Sequence, residues 1–203
     1  MAIRPRPGDA LLVEDVQVDF LPGGRLAVAG GDAVVPALNR YLALAKQLGL
    51  PVYASRDWHP PRHCSFAAQG GPWPEHCVAG STGAQFAPGL ELPTGTVVVD
   101  KATQAQCEAY SSFGDTDLAA QLRGAGVRRL LIGGLATDYC VLHTVRGALA
   151  NGFEVLLLRD AIRAVNVNPG DGARAESEMQ RLGAQPVTFA DLDHEPADES
   201  VTH

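Results

Sequence analysis

Cys140 ends the stretch Leu130-Leu-Ile-Gly-Gly-Leu-Ala-Thr-Asp-Tyr-Cys, an apolar run, a glycine-bearing turn and the start of a helical pattern. Such a junction puts the thiol in the first turn of a helix, where free N–H groups favour a thiolate and can donate to an oxyanion. Thr137 or Asp138 is the candidate N-cap. An ordinary thiol, with a pKa of about 8.5, is barely ionised at neutral pH, so a nucleophile at this place needs a base beside it. Asp15, at the exit of Leu11-Leu-Val-Glu-Asp, is one candidate, because a carboxylate there must be hydrogen-bonded or paired with a cation. Lys101, after Thr96-Val-Val-Val-Asp, can hold such a carboxylate ionised and stabilise negative charge growing on a substrate oxygen.

A second group is metal-binding in type. Asp57 and His59 are two apart on what reads as an extended chain, so both aim at one point. His76 arrives from Gly-Pro-Trp-Pro-Glu-His-Cys and completes an Asp/His/His set that leaves positions open for water or substrate. His63 is a possible further ligand, constrained by Pro60-Pro61. Each group also has a plainer reading. Asp15 can cap a turn, Asp57 and His59 can bond within their own turn, Lys101 can be a surface cation, and Cys140 can pack as a small hydrophobe. Cys64, Cys77 and Cys107 read as structural, as does His143, which a helix carries a turn away from Cys140. Glu14 faces the side of its strand opposite to Asp15, where the sequence offers no partner.

The elements that must position these residues are β-α units. Compact Val/Leu/Ile runs predict strands at Ala10–Val16, Pro51–Ser55, Thr96–Asp100, Arg128–Gly133 and Glu154–Leu158, with a short sixth at Pro186–Phe189. Helical spacing predicts Asp32–Leu48, Thr116–Gly124, Asp138–Asn151 and Gly172–Leu182, each followed by a glycine able to stop it. The expectation is a three-layer α/β/α domain over residues 1–189 with a mainly parallel six-stranded sheet, in which chemistry collects at the carboxyl ends of the strands. Trp58 to Pro93 is too rich in proline and glycine for regular structure, and a loop that long is usually functional. Residues 190–203 are acidic and poor in apolar groups, so they read as a poorly packed or disordered tail.

With 16 Lys+Arg against 23 Asp+Glu, the chain of 203 residues carries a formal charge of −7. That sign repels phosphate backbones and anionic lipid, so neither nucleic acid nor a membrane is the expected partner. The four cysteines lack paired spacing, which argues against a disulfide scaffold or zinc ribbon. No long apolar run opens the chain, and a cytoplasmic protein is expected. Self-association into a homo-oligomer is left open.

Taken in order, Asp-Val-Gln-Val-Asp-Phe-Leu-Pro-Gly-Gly from Asp15, Arg-Asp-Trp-His-Pro from Arg56, Trp-Pro-Glu-His-Cys from Trp73, Lys101, Ala-Tyr-Ser-Ser-Phe from Ala109 and the Cys140 segment resemble the isochorismatase-like cysteine hydrolases. Among these the nicotinamidase/pyrazinamidase group is the most similar, over about Leu11 to Leu158. The resemblance implies a triad of Asp15, Lys101 and Cys140 beside one divalent metal on Asp57, His59 and His76, with zinc expected and iron or manganese as alternatives. It implies a cis peptide between Leu135 and Ala136 that turns the amides of Ala136 and Cys140 into an oxyanion hole. It also implies a nicotinamide-sized substrate against Phe20, Trp73, Tyr110 and Leu135, with its ring nitrogen on the metal, hydrolysed to nicotinic acid and ammonia through a Cys140 thioester. Glu14, where the family usually has an apolar residue, and Ala102, where glycine is frequent, depart from the pattern. The alternatives are a hydrolase of the same family acting on a carbamoyl or other small amide, and a non-catalytic scaffold. The metal set argues against the first and the complete triad against the second.

Overall fold

A computed structural model describes residues 3–193. Strands β1 (Asp9–Glu14), β2 (Val52–Asp57), β3 (Val97–Lys101), β4 (Arg129–Leu135), β5 (Glu154–Arg163) and β6 (Gln185–Val187) alternate with helices α1 (Val34–Gln47), α2 (Leu118–Gly124), α3 (Leu142–Ala150) and α4 (Asp171–Leu182). The sheet has the order β3-β2-β1-β4-β5-β6, and every pairing in it is parallel. The expected α/β/α architecture is therefore present, with a fully parallel sheet.

Strand alternation explains the layering. On β1, Leu11 and Val13 join Leu38, Tyr41 and Leu42 of α1 in one apolar cluster. Ala10 and Leu12 point the other way, into a cluster with Leu118 and Leu122 of α2, Val145 and Ala148 of α3 and Met179 of α4. Because both faces are covered, the strands read as continuous apolar runs. Chain order reverses on either side of β1, between β2 and β4, and the crevice at such a switch point is where ligands bind in open α/β sheets.

Several boundaries differ from expectation for physical reasons. β5 continues to Arg163 because its second half pairs again with β4 after a register shift between Ile132 and Gly134. That extension carries the chain toward the carboxyl edge. On the other side of β4, Gly134 lies so close to β1 that a Cβ there would come 2.0 Å from the carbonyl oxygen of Glu14. β1 stops at Glu14, not Val16, because Asp15 turns into a left-handed conformation with φ of 47°. Ala102 does the same after β3, at φ 52°, which explains why glycine suits that position.

The tail expectation is corrected for its first residues. Phe189–Asp191 form a short 3-10 turn closed by a Thr188/Asp191 capping box, Leu192 is buried and bridges to Ile3, and the Asp193 amide donates to the Ile3 carbonyl at 2.9 Å. One apolar side chain among acidic neighbours was enough to anchor the segment. The rest of that expectation falls on residues outside those described. Among the described residues no helix is long and apolar enough to cross a membrane.

Candidate active site

The carboxyl ends of β1, β2, β3 and β4 deliver Asp15, Asp57, Lys101 and Cys140 to one buried point. The Lys101 ammonium lies 2.8 Å from Asp15 Oδ2, in direct contact with Asp57 Oδ1, and 3.5 Å from Cys140 Sγ. The Ala109 carbonyl adds a longer contact at 3.4 Å. Ser55 Oγ donates to Asp15 Oδ1 at 2.7 Å and accepts from the Asp15 amide at 3.2 Å. Asp15 Oδ2 faces the Lys101 ammonium, which holds it by charge and by a hydrogen bond. One oxygen of Asp15, one of Asp57 and Cys140 Sγ all lie within 4.8 Å of one another.

Burial and charge set the proton affinities. Burial pushes the Asp15 carboxyl up to about 6, with Lys101 opposing and Asp57 reinforcing. Burial opposes the Lys101 ammonium, but Asp15 and Asp57 override it and hold the ammonium well above its usual range. For Asp57 burial is likewise overridden, by Lys101 and then His59, and the carboxyl is lowered. Burial pushes the Cys140 thiol well up, and Lys101 offsets this only in part.

The first-turn amides, expected to favour a thiolate, act against this burial, and a base is still needed. The turn is also not an ordinary helix start: Thr137–Val141 form one π-helical turn, with Ala136 at the N-cap and no capping side chain. Asp138 instead accepts from the amides of Val165 and Asn166, at 2.9 and 2.8 Å. The Leu135–Ala136 peptide is cis.

The metal candidates converge as well. One ligand atom each from Asp57, His59 and His76 lies within 4.8 Å of the others, and all three residues are buried. His59 Nδ1 meets the His76 carbonyl at 3.1 Å and His76 Nδ1 meets the Pro74 carbonyl at 2.8 Å. A carbonyl can only accept, so each Nδ1 carries the proton and each Nε2 keeps a lone pair, the arrangement that metal-ligating histidines use. Burial lowers His59 to about 4, which keeps the ring neutral. The donor set thus fits a divalent cation. His63 stacks on His59 with ring centroids 4.3 Å apart, and its nitrogens contact Ser65 Oγ at 2.7 Å and the Cys107 carbonyl at 2.9 Å.

Beside these groups lies a narrow pocket lined by Phe20, Leu26, Val28, Asp57, Trp73, His76, Tyr110, Ala136, Tyr139, Cys140 and Val165. Trp73 Nε1 donates to the Tyr110 hydroxyl at 3.0 Å, and Tyr139 packs edge-on against Trp73. Phe20, Trp73 and Tyr110 line the pocket. Leu135 does not: it is fully buried in the core, and Ala136 takes its place in the lining. Once β4 reaches Leu135, alternation sends that side chain under α1. His143 packs on Tyr110, which suits its structural reading.

Two positions escaped the sequence reading. Gln17 accepts from the Asp57 amide and donates to its carbonyl, both at 2.8 Å, so its side chain fixes the backbone of a candidate ligand. Ser55 orients Asp15; it sits two residues before Asp57 on one face of β2, a spacing that could have found it. Ser55→Ala removes the only side-chain hydroxyl on Asp15 Oδ1 and is expected to lower kcat/KM about tenfold, the equivalent of one charge-assisted hydrogen bond. Steady-state kinetics with an unchanged melting temperature would check this.

A parallel α/β sheet carrying a thiol, an acid and an ammonium at its carboxyl edge is the layout of a cysteine hydrolase. Residues 9–191 match the Isochorismatase domain family, and the chain belongs to that family. It is 40% identical to the nicotinamidase of Escherichia coli strain K12, over 91% of this chain and 97% of that one. A solved pyrazinamidase of Pyrococcus horikoshii in complex with zinc is 49% identical, with a TM-score of 0.87 over 90% of this chain and all of that one. A structure from L. infantum in complex with nicotinate is 37% identical, also with a TM-score of 0.87, over 95% of this chain and 99% of that one.

Proposed function

We propose that the protein hydrolyses nicotinamide, and by the same chemistry pyrazinamide, to the carboxylic acid and ammonia through a Cys140 thioester. The observation that carries the reading is the convergence of Cys140, Asp15 and Lys101 at the foot of an aromatic-walled cavity. Rings at Phe20, Trp73 and Tyr110 suit a flat heteroaromatic amide.

The buried thiol and the Asp15 carboxylate within 4.8 Å of it define the first step. Asp15 takes the Cys140 proton as sulfur bonds to the carboxamide carbon, and the carbonyl oxygen becomes an oxyanion. The amides of Ala136 and Cys140 are assigned to hold it. Lys101 keeps Asp15 from holding its proton too tightly, since its charge lowers the acid that burial raises. When the carbon–nitrogen bond breaks, Asp15 returns the proton and ammonia leaves. Asp15 then takes a proton from water, whose oxygen attacks the thioester, and the acid is released with the thiol restored.

Asp57, His59 and His76 would hold a divalent ion, zinc by preference with iron or manganese as alternatives. When bound it would supply Lewis acidity and a docking point for a ring nitrogen or water. The four free cysteines suit a reducing cytoplasmic setting.

The test is ammonia release from nicotinamide by the purified protein, before and after metal stripping. Stripped protein is expected to lose at least about 90% of its rate and recover it with added zinc, iron or manganese, since a Lewis acid contributes several kcal/mol. No release from fully loaded protein sinks the nicotinamide assignment. Equal rates with and without metal sink the metal's part in it.

A further inference from the structure

Glu14 is a buried acid that the proposed reaction does not use. It ends β1 on the face opposite to Asp15, and the structure supplies the partners the sequence did not. Ser112 Oγ lies 2.7 Å from Oε1 and 2.9 Å from Oε2, and Thr144 Oγ1 donates to Oε1 at 3.0 Å. The Ser112 amide in turn donates to Thr144 Oγ1 at 2.9 Å. All three side chains are fully buried.

A protonated carboxyl fits this hydrogen-bond geometry. A serine hydroxyl has one hydrogen and can donate to one carboxylate oxygen only. Contacts to both oxygens are satisfied together when one carboxyl oxygen carries a proton and donates back to Ser112. The charged groups that act on Glu14 agree. Asp15 follows it on β1, and the one cation near it, Lys101, has its ammonium placed on Asp15 and Asp57. Burial first, and then Asp15, hold the Glu14 carboxyl well above the carboxylate range, against the smaller opposing pull of Lys101, Ser112 and Thr144.

The cluster joins three elements: β1, α3 through Thr144, and the irregular segment before α2 through Ser112. That segment also carries Ala109, whose carbonyl meets Lys101, and Tyr110, whose hydroxyl meets Trp73. Its other anchor is close packing on α3, where a Cβ at Gly147 would come within 2.8 Å of Ser111 Oγ. We propose that Glu14 is a positioning residue, a neutral carboxyl that clamps Ser112 to Thr144 and so fixes residues 109–112 over Lys101 and the substrate cavity. The proposal deepens the amidase reading and rests on it for its kinetic consequences.

The test compares Glu14→Gln, Glu14→Val and Ser112→Ala with wild type. Two quantities are read: KM and kcat for ammonia release, and the rate of Cys140 alkylation by iodoacetamide against pH, followed on the Cys140 peptide. Glu14→Val and Ser112→Ala release the segment, so KM is expected to rise about tenfold with kcat within about threefold, and alkylation to quicken about tenfold. Glu14→Gln keeps one acceptor and one donor, so it is expected to hold wild-type KM and an unmoved alkylation midpoint. Where Glu14→Val does not fold, Ser112→Ala carries the same expectation.

Wild-type KM and alkylation in both clamp-breaking variants overturn the proposal. So does a Glu14→Gln midpoint lower by a pH unit or more, which would show a charged Glu14 acting on the triad. Alkylation needs no substrate. Wild type that fails to hydrolyse nicotinamide but shows quickened alkylation in the variants would therefore sink the amidase reading and leave the clamp standing.

Discussion

Cys140→Ala is expected to release ammonia from nicotinamide at least about 10⁴-fold more slowly than wild type, the scale of loss when a covalent nucleophile is removed. Among the described residues lining the cavity, Cys140 is the only thiol, and no serine or threonine lines it to take over. The side chain is small, so melting temperature should change little and the loss will be one of chemistry. Quenching wild type in acid during turnover should trap the acylated Cys140 peptide, and the variant should yield none. An activity within tenfold of wild type would mean that water attacks the amide directly and the thioester is wrong.

Lys101→Met is expected to be strongly destabilising. The ammonium is the one cation contacting Asp15 and Asp57, and its side chain is fully buried. Its removal leaves buried carboxylates unpaired, which costs about 3–5 kcal/mol.

The pH dependence follows from the signs. Asp15 already sits at about 6 in the folded protein against 3.8 as its ordinary value, and losing Lys101 moves it further up. A carboxyl raised on folding binds protons more readily folded than unfolded, so stability falls as pH rises through that window. The deficit of Lys101→Met is therefore expected to be largest at pH 7 and above and to shrink toward pH 5. Asp57 has the opposite sign in wild type, because its lowered carboxyl contributes stability that is present above 3.8 and lost on acidification. Urea unfolding at pH 5 and pH 7.5 would separate the two. A deficit that grows on acidification would show that Lys101 does not hold Asp15 ionised.

Much of this is legible in the sequence. Residues at strand exits were found because a charged group after an apolar run has few places to go, and Asp15, Asp57, Lys101 and Cys140 do meet at one point. The Asp-x-His spacing gives two ligand candidates directly, and His76 follows as the imidazole from the irregular loop that completes the set. What stayed hidden depended on contacts between distant segments. Glu14 had no visible partner because Ser112 and Thr144 lie 98 and 130 positions away. The burial that opposes ionisation of the Cys140 thiol is imposed by the assembled sheet and does not show in the local helix-start pattern. Leu135 was placed one residue off because the turn of the chain at the end of β4 decides which of two neighbours faces the cavity.

The placement of β1 has a consequence for how the chain reaches this state. It is the first strand made, yet it lies between β2 and β4, and β4 begins only at Arg129. Parallel neighbours far apart in sequence pay the full entropy of loop closure before any pairing rewards it, which makes such sheets slow to form. Until β4 is in place, one edge of a wholly buried strand, Asp9–Glu14, offers unpaired backbone groups to any other chain. A nascent chain stalled before Arg129 thus exposes an aggregation-prone edge, and it also lacks its nucleophile. The hazard of association and the onset of reactivity are resolved by the same late event, the docking of β4.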